Sequence, residues 1–261
     1  MTHLFRFSPA ETLVIKSGEK APLSDLLKYT LMDLLLKQVL IIEEVQRQPN
    51  PRDPIRTYKY ITTGKNFIKY PFKSHETVFT SIFQENVEIK LLFRNLVKVA
   101  YQRAKSERFY YPLLINNENL KVVFIRTFIN KLFGGFSYSS DGTMVKKELE
   151  SEIADLESNL PEIIKHDKNR GLEILKKIGG NIFLLKSIDF ALSKEIDKEL
   201  FEEMSSQRTS GGCSSGCWTS FGDYSDTFDS SCSSDASFGC GGDSGCSGCS
   251  GCSGCGGCGG D

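Results

Sequence analysis

Residues 1–206 contain no cysteine, and residues 207–261 contain no lysine. The first absence removes disulfides and thiolate ligands from the larger part of the chain, which fits a compartment where thiols stay reduced. Histidine is scarce: His3, His75 and His166 are the only three. None has a His, Cys or carboxylate at a metal-ligand spacing, and none sits in a nucleophile motif, so surface or capping roles are expected for all three. No apolar run approaches the roughly 20 residues that cross a bilayer. The opening Met-Thr-His-Leu-Phe-Arg-Phe-Ser also lacks the apolar stretch of a secretory signal. The expectation is a protein with no membrane span, located in the cytoplasm.

What is present divides the chain in two. Residues 207–261 hold 15 of the 23 glycines and all nine cysteines. With six Asp and one Arg, that region carries −5, against +4 for the 31 basic and 27 acidic residues before it. So few large apolar side chains cannot offset the entropy of ordering the region, and it is expected to be a disordered Gly/Ser/Cys tail. The fold is therefore expected within residues 1–206, a length sufficient for a proper core.

Local punctuation marks the first elements. Ser8 can cap a helix that has Pro9 at its first position and Glu11 three residues after the cap, the pattern of a capping box. That helix runs to Lys16 and stops at Ser17-Gly18. From Pro22 to Gln38, Leu23, Leu26, Leu27, Leu31, Leu34 and Leu35 recur at spacings of three and four, a second helix. Val39-Leu40-Ile41-Ile42 and Thr57–Thr62 then read as paired strands on either side of a proline-rich loop, closed by Gly64. Two helices followed by a two-stranded ribbon is the order of a winged helix, and residues 1–70 are expected to form such a unit.

Residues 71–206 are expected to be a helical region, of which a second winged unit plus covering helices is one reading, so that the chain holds one or two winged units. The expected pieces are a short helix over Ser74–Phe83, a long one over Val87–Lys105, and a strand-like run Phe109–Ile115 broken by Pro112. Leu120–Phe133 is apolar enough for helix or strand. A charged helix follows over Met144–Leu156, Pro161 opens another, Leu172–Ile178 ends at Gly179-Gly180, and Asn181–Met204 closes the region. The fold class expected is α+β, helix-dominated.

Few residues carry recognisable chemistry. Thr63-Gly64-Lys65 lacks the earlier glycine and following helix of a phosphate loop and reads as a turn. Phe133-Gly134-Gly135-Phe136 fits a chain reversal and not a dinucleotide cradle. No catalytic constellation is found, so no catalytic or cofactor-binding residue is assigned. Lys90, Arg94 and Lys98 fall at spacing four, extended by Arg103, Lys105 and Arg108; such a stripe can lie along phosphates or be the solvated face of a helix. The helix over residues 22–38, which would enter a DNA groove, carries Asp25, Lys28, Asp33 and Lys37, a sum of zero without an Arg to grip guanine.

Cys246, Cys249, Cys252, Cys255 and Cys258 repeat every three residues. Paired thiolates two residues apart can chelate zinc or copper(I), although spacers of Ser and Gly supply nothing that folds around the ion. The other reading is a flexible extension whose thiols serve cross-linking or modification. Three functions are thus expected, in this order: a non-enzymatic interaction module that binds a protein partner, a thiol-based metal-binding or redox-responsive protein, and a winged-helix nucleic-acid-binding regulator.

Phe7-Ser8-Pro9-Ala10-Glu11, the leucine-rich helix, Gln38-Val39-Leu40-Ile41 and the terminal repeat together resemble a family of bacterial proteins known for a glycine- and cysteine-rich C-terminal end. The likeness covers about the first 65 residues and the tail. It implies a bacterial origin and carries no site residue, because that family has no assigned activity.

Overall fold

The computed structural model describes residues 3–127, 135–185 and 226–231. Helix α1 (Pro9–Ser17) starts where the capping pattern placed it: the Glu11 carboxylate accepts the Ser8 backbone N–H at 2.7 Å. Helix α2 (Leu23–Leu36) buries Leu26, Leu27, Leu31 and Leu34 along one face, as the spacing required. Strands β1 (Leu40–Arg47) and β2 (Arg56–Thr63) pair antiparallel in unbroken register from Leu40↔Thr63 to Arg47↔Arg56. A third strand, β3 (Leu91–Leu92), adds to the free edge of β2.

The turn after β2 works because residue 64 has no side chain. Gly64 donates its N–H to the Val39 carbonyl at 2.8 Å, and a Cβ at Gly64 would overlap the Gln38 carbonyl oxygen. Gln38 itself sits at φ 52, a left-handed conformation that reverses the chain between α2 and β1. Gly64→Ala is expected to lower stability by about 2 kcal/mol, the scale of overpacking against a backbone that cannot yield. Urea unfolding followed by circular dichroism checks it; unchanged stability would mean the β2 turn can relax.

Helices α3 (Thr77–Glu85) and α4 (Phe93–Ala104) follow, the second burying Phe93, Leu96, Val97, Ala100 and Ala104. The strand-like run at 109–115 is a correction: it is helix α5 (Glu107–Ile115), with Pro112 inside it. Its buried residues are Tyr110, Tyr111, Leu114 and Ile115, a helical and not an alternating pattern. A short α6 (Glu118–Lys121) leads to β4 (Phe124–Ile125), which pairs with β5 (Ser137–Tyr138).

Helix α7 (Ser140–His166) runs through Pro161 where a break was expected, and it buries Leu149, Ile153, Leu156 and Leu160. Helix α8 (Lys168–Ile178) ends at Gly179, whose φ is 52, and a 3-10 stretch reaches Leu184. The architecture is α+β and helix-dominated, as the patterns implied. Buried side chains from Leu4 to Leu185 form one continuous core, so residues 1–70 and 71–185 are packed together. No helix among the described residues is long and apolar enough to cross a membrane. The expected Asn181–Met204 helix lies beyond the described residues after position 185. So does the tail, apart from residues 226–231, which are helical.

Candidate functional site

The start of α1, the polar side of α2, the segment Asn66–Lys73 and the end of α8 meet around a cleft of about 770 Å³. Its lining carries six cations, Arg6, Lys37, Lys69, Lys73, Lys176 and Lys177, against a single carboxylate, Asp33. The site is built outward from the capping residue of α1. Glu11 is wholly buried, yet it receives Lys73 Nζ at 2.8 and 2.9 Å, the Ser8 N–H, and the side-chain amide of Asn117. Burial alone would push this carboxyl up; Lys73 and the hydrogen bonds outweigh burial and hold it below the usual glutamate range.

Lys73 is brought to Glu11 by a tight clip in the chain. The Lys73 N–H donates to the Glu76 carboxylate at 2.7 Å, and the Glu76 N–H returns to the Lys73 carbonyl at 3.0 Å. Glu76 also accepts the Tyr70 hydroxyl at 2.9 Å. Burial raises the Glu76 carboxyl, partly offset by those hydrogen bonds and by Lys37. Burial likewise raises the Tyr70 phenol, with Glu76 and Asp33 adding to it, so Tyr70 stays protonated.

On α2, Asp33 is almost fully buried and binds Lys37 Nζ at 2.6 Å through one oxygen. Its other oxygen, Oδ1, has no hydrogen-bond partner and lies where a side chain on Gly180 would collide with it. Burial pushes Asp33 up, opposed by Lys37 and Lys73. Lys37 also lies 5.6 Å from the Tyr70 ring centroid and 3.3 Å from its hydroxyl. The far wall is pinned by Asn181, whose amide donates to the carbonyls of Leu4 at 2.6 Å and Phe7 at 2.8 Å.

The histidines divide unexpectedly. His3 reaches Glu148 at 2.7 Å, and His166 is exposed in the last turn of α7. His75 corrects the surface expectation: it is buried behind the cleft, edge-on to Tyr110 at 6.5 Å, with Nδ1 unpartnered. Burial is the dominant cause that pushes its pKa down to about 3, so it is neutral at physiological pH.

Lys90, Arg94 and Lys98 are not on one helical stripe. Lys90 precedes α4 and pairs with Glu43 at 2.6 Å, whereas Arg94 and Lys98 lie on α4 itself. Lys28 on α2 is bound to Asp229, and Lys37, which caps the end of α2, is bound to Asp33, so both lysines are engaged within the protein. Cys246, Cys249, Cys252, Cys255 and Cys258 lie outside the described residues. Among the described residues no group of three or more His, Cys, Asp or Glu side chains is placed to hold a metal.

Sequence patterns pointed to Glu11 as a cap but missed every cation of the cleft. Only the adjacent pair Lys176-Lys177, set between Leu175 and Gly179-Gly180, offered a local signal. No family profile, no curated protein and no solved structure matches this chain. The assignment of the site therefore rests on its own atoms.

Proposed function

We propose that this protein is a non-enzymatic interaction module that takes an anionic group, of the phosphate or polyphosphate kind, into the lysine-lined cleft. The observation that carries the reading is the set of six cations against one carboxylate around about 770 Å³. Of these cations, Lys37 and Lys73 are occupied by Asp33 and Glu11 and form a fixed floor. Arg6, Lys69 and Lys177 are exposed at the mouth, and no salt bridge to a carboxylate is formed by any of them among the described residues. Cations held by a rigid wall bind an anion without first paying to be ordered. The buried and neutral His75 is withdrawn from the cleft surface, which favours binding over proton transfer.

A cytoplasmic setting suits a folded part free of cysteine, and the resemblance of Phe7–Glu11 and the terminal repeat to a bacterial family suggests where such a protein belongs. The cysteine repeat supports a metal-binding or redox role beside this one, for which zinc uptake by the protein with and without residues 246–258 is decisive: equal uptake removes it.

The cleft is tested by calorimetric titration of the full chain with pyrophosphate at low and moderate salt. Binding that weakens with salt is expected, and Lys69→Glu together with Lys177→Glu should weaken it by about tenfold or more, the consequence of reversing two charges at the mouth. Pyrophosphate affinity that is absent, or unmoved by the double substitution, overturns the proposal.

A further inference from the structure

A second surface, sharing no residue with the cleft, is already filled by the chain itself. Residues 226–231 form a short helix that lies against α2, the β1–β2 hairpin and α4. Its buried or half-buried positions are Thr227, Phe228 and Ser231, one helical face, while Asp226, Asp229 and Ser230 point outward. Phe228 is 1% exposed and belongs to the continuous core of the protein, with its ring 6.3 Å from that of Tyr101 on α4. Lys28 on α2 holds Asp229 at 2.7 Å. Lys59 on β2, 3.9 Å from Glu44 across the ladder, donates to the Thr227 hydroxyl at 3.0 Å.

Lys28 and Asp229 form a charge pair across the contact, while Lys59 is shared between Glu44 and the neutral Thr227 hydroxyl. Phe228 is the only large apolar residue between Asp226 and Ser231, so it is the aromatic anchor of the segment. The Asp229 end of the ion pair is 54% exposed and correspondingly weak. A six-residue segment held by one buried ring and by an ion pair with an exposed end is the kind of local contact that opens and closes.

We propose that the groove between α2, the β1–β2 hairpin and α4 is a recognition surface for a short helix carrying one aromatic residue flanked by acidic ones, and that residues 226–231 occupy it in cis as a reversible latch. The latch holds a middle piece of the cysteine-bearing region against the body and masks Tyr101 until it opens. It stands independently of the anion cleft.

Hydrogen–deuterium exchange on the full chain reads the latch directly. Amides of residues 226–231 should be protected. Phe228→Ala should reduce the docked-to-free ratio by about tenfold or more, because the buried ring is the anchor. Lys28→Asp should reduce it by a smaller factor, and Lys28→Asp with Asp229→Lys should restore part of it. A synthetic peptide of residues 222–235 in excess should displace the segment and raise its exchange rate to that of the Phe228→Ala chain. Wild-type exchange at the unprotected rate, or protection insensitive to Phe228→Ala, overturns the docking. Protection that the peptide does not compete away overturns reversibility, and protection that grows with protein concentration overturns the cis arrangement in favour of exchange between two copies.

Discussion

Lys73→Met is expected to cost about 3–5 kcal/mol at neutral pH, the scale for removing one partner of a buried ion pair. The reason lies in Glu11, which is fully buried and has Lys73 as its only ion-pair partner among the described contacts. With the ammonium gone, the carboxylate keeps the Ser8 and Asn117 donors but loses the charge that opposes its desolvation. The sign of the pH dependence then reverses. In the wild-type protein the Glu11 pKa is lowered, so its contribution is present above the unfolded glutamate value and is lost as pH falls below it. In Lys73→Met burial prevails, the folded pKa rises, and acidification stabilises the variant by letting Glu11 take a proton. The gap between the two proteins should therefore narrow in acid. Adding Glu11→Gln to Lys73→Met should recover a large part of the loss, because a neutral amide still accepts the Ser8 N–H. Urea denaturation across pH measures all three; a gap independent of pH would show that Lys73 acts through packing alone.

The contrast between Glu11 and Lys73 explains how far sequence patterns reach. Glu11 is announced by Ser8 and Pro9, within three residues. Its partner is 62 positions away and is delivered by the Lys73–Glu76 clip, which no periodicity encodes. The same holds for α1, α2, β1 and β2, whose signals are local, against α5. Its Phe109-Tyr110-Tyr111 run favours strand by propensity, but burying Tyr110 and Leu114 against the core selects a helix. Pro161 removes one hydrogen bond from α7 without ending it, since the flanking Leu156 and Leu160 remain packed. In the tail, composition misses the helix at 226–231. One phenylalanine, Phe228, anchors that six-residue helix on the body.

His75 was equally invisible, and it carries the second large effect. Its folded pKa of about 3, against 6.5 for the free side chain, means that the unfolded chain binds a proton the native one refuses. No penalty exists above the unfolded value, and stability is lost as pH falls through the window below it. Between neutral pH and about pH 5 the loss attributable to His75 is about 2 kcal/mol, from roughly 1.4 kcal/mol per pH unit. Asp33 and Glu76 face the same region with raised pKa values, so their titration works in the opposite direction and flattens the wild-type curve. The clean quantity is accordingly the difference between wild type and His75→Phe. A phenylalanine keeps the edge-on contact with Tyr110 and removes the unpartnered Nδ1. Relative to wild type, His75→Phe should gain about 2 kcal/mol on going from neutral pH to about pH 5. Chemical denaturation at the two pH values gives the number directly. A difference that stays constant would mean that the imidazole takes up its proton as readily in the native state as in the unfolded chain, which its burial and the ammonium groups of Lys73 and Lys37 oppose, against the pull of the Glu11 carboxylate.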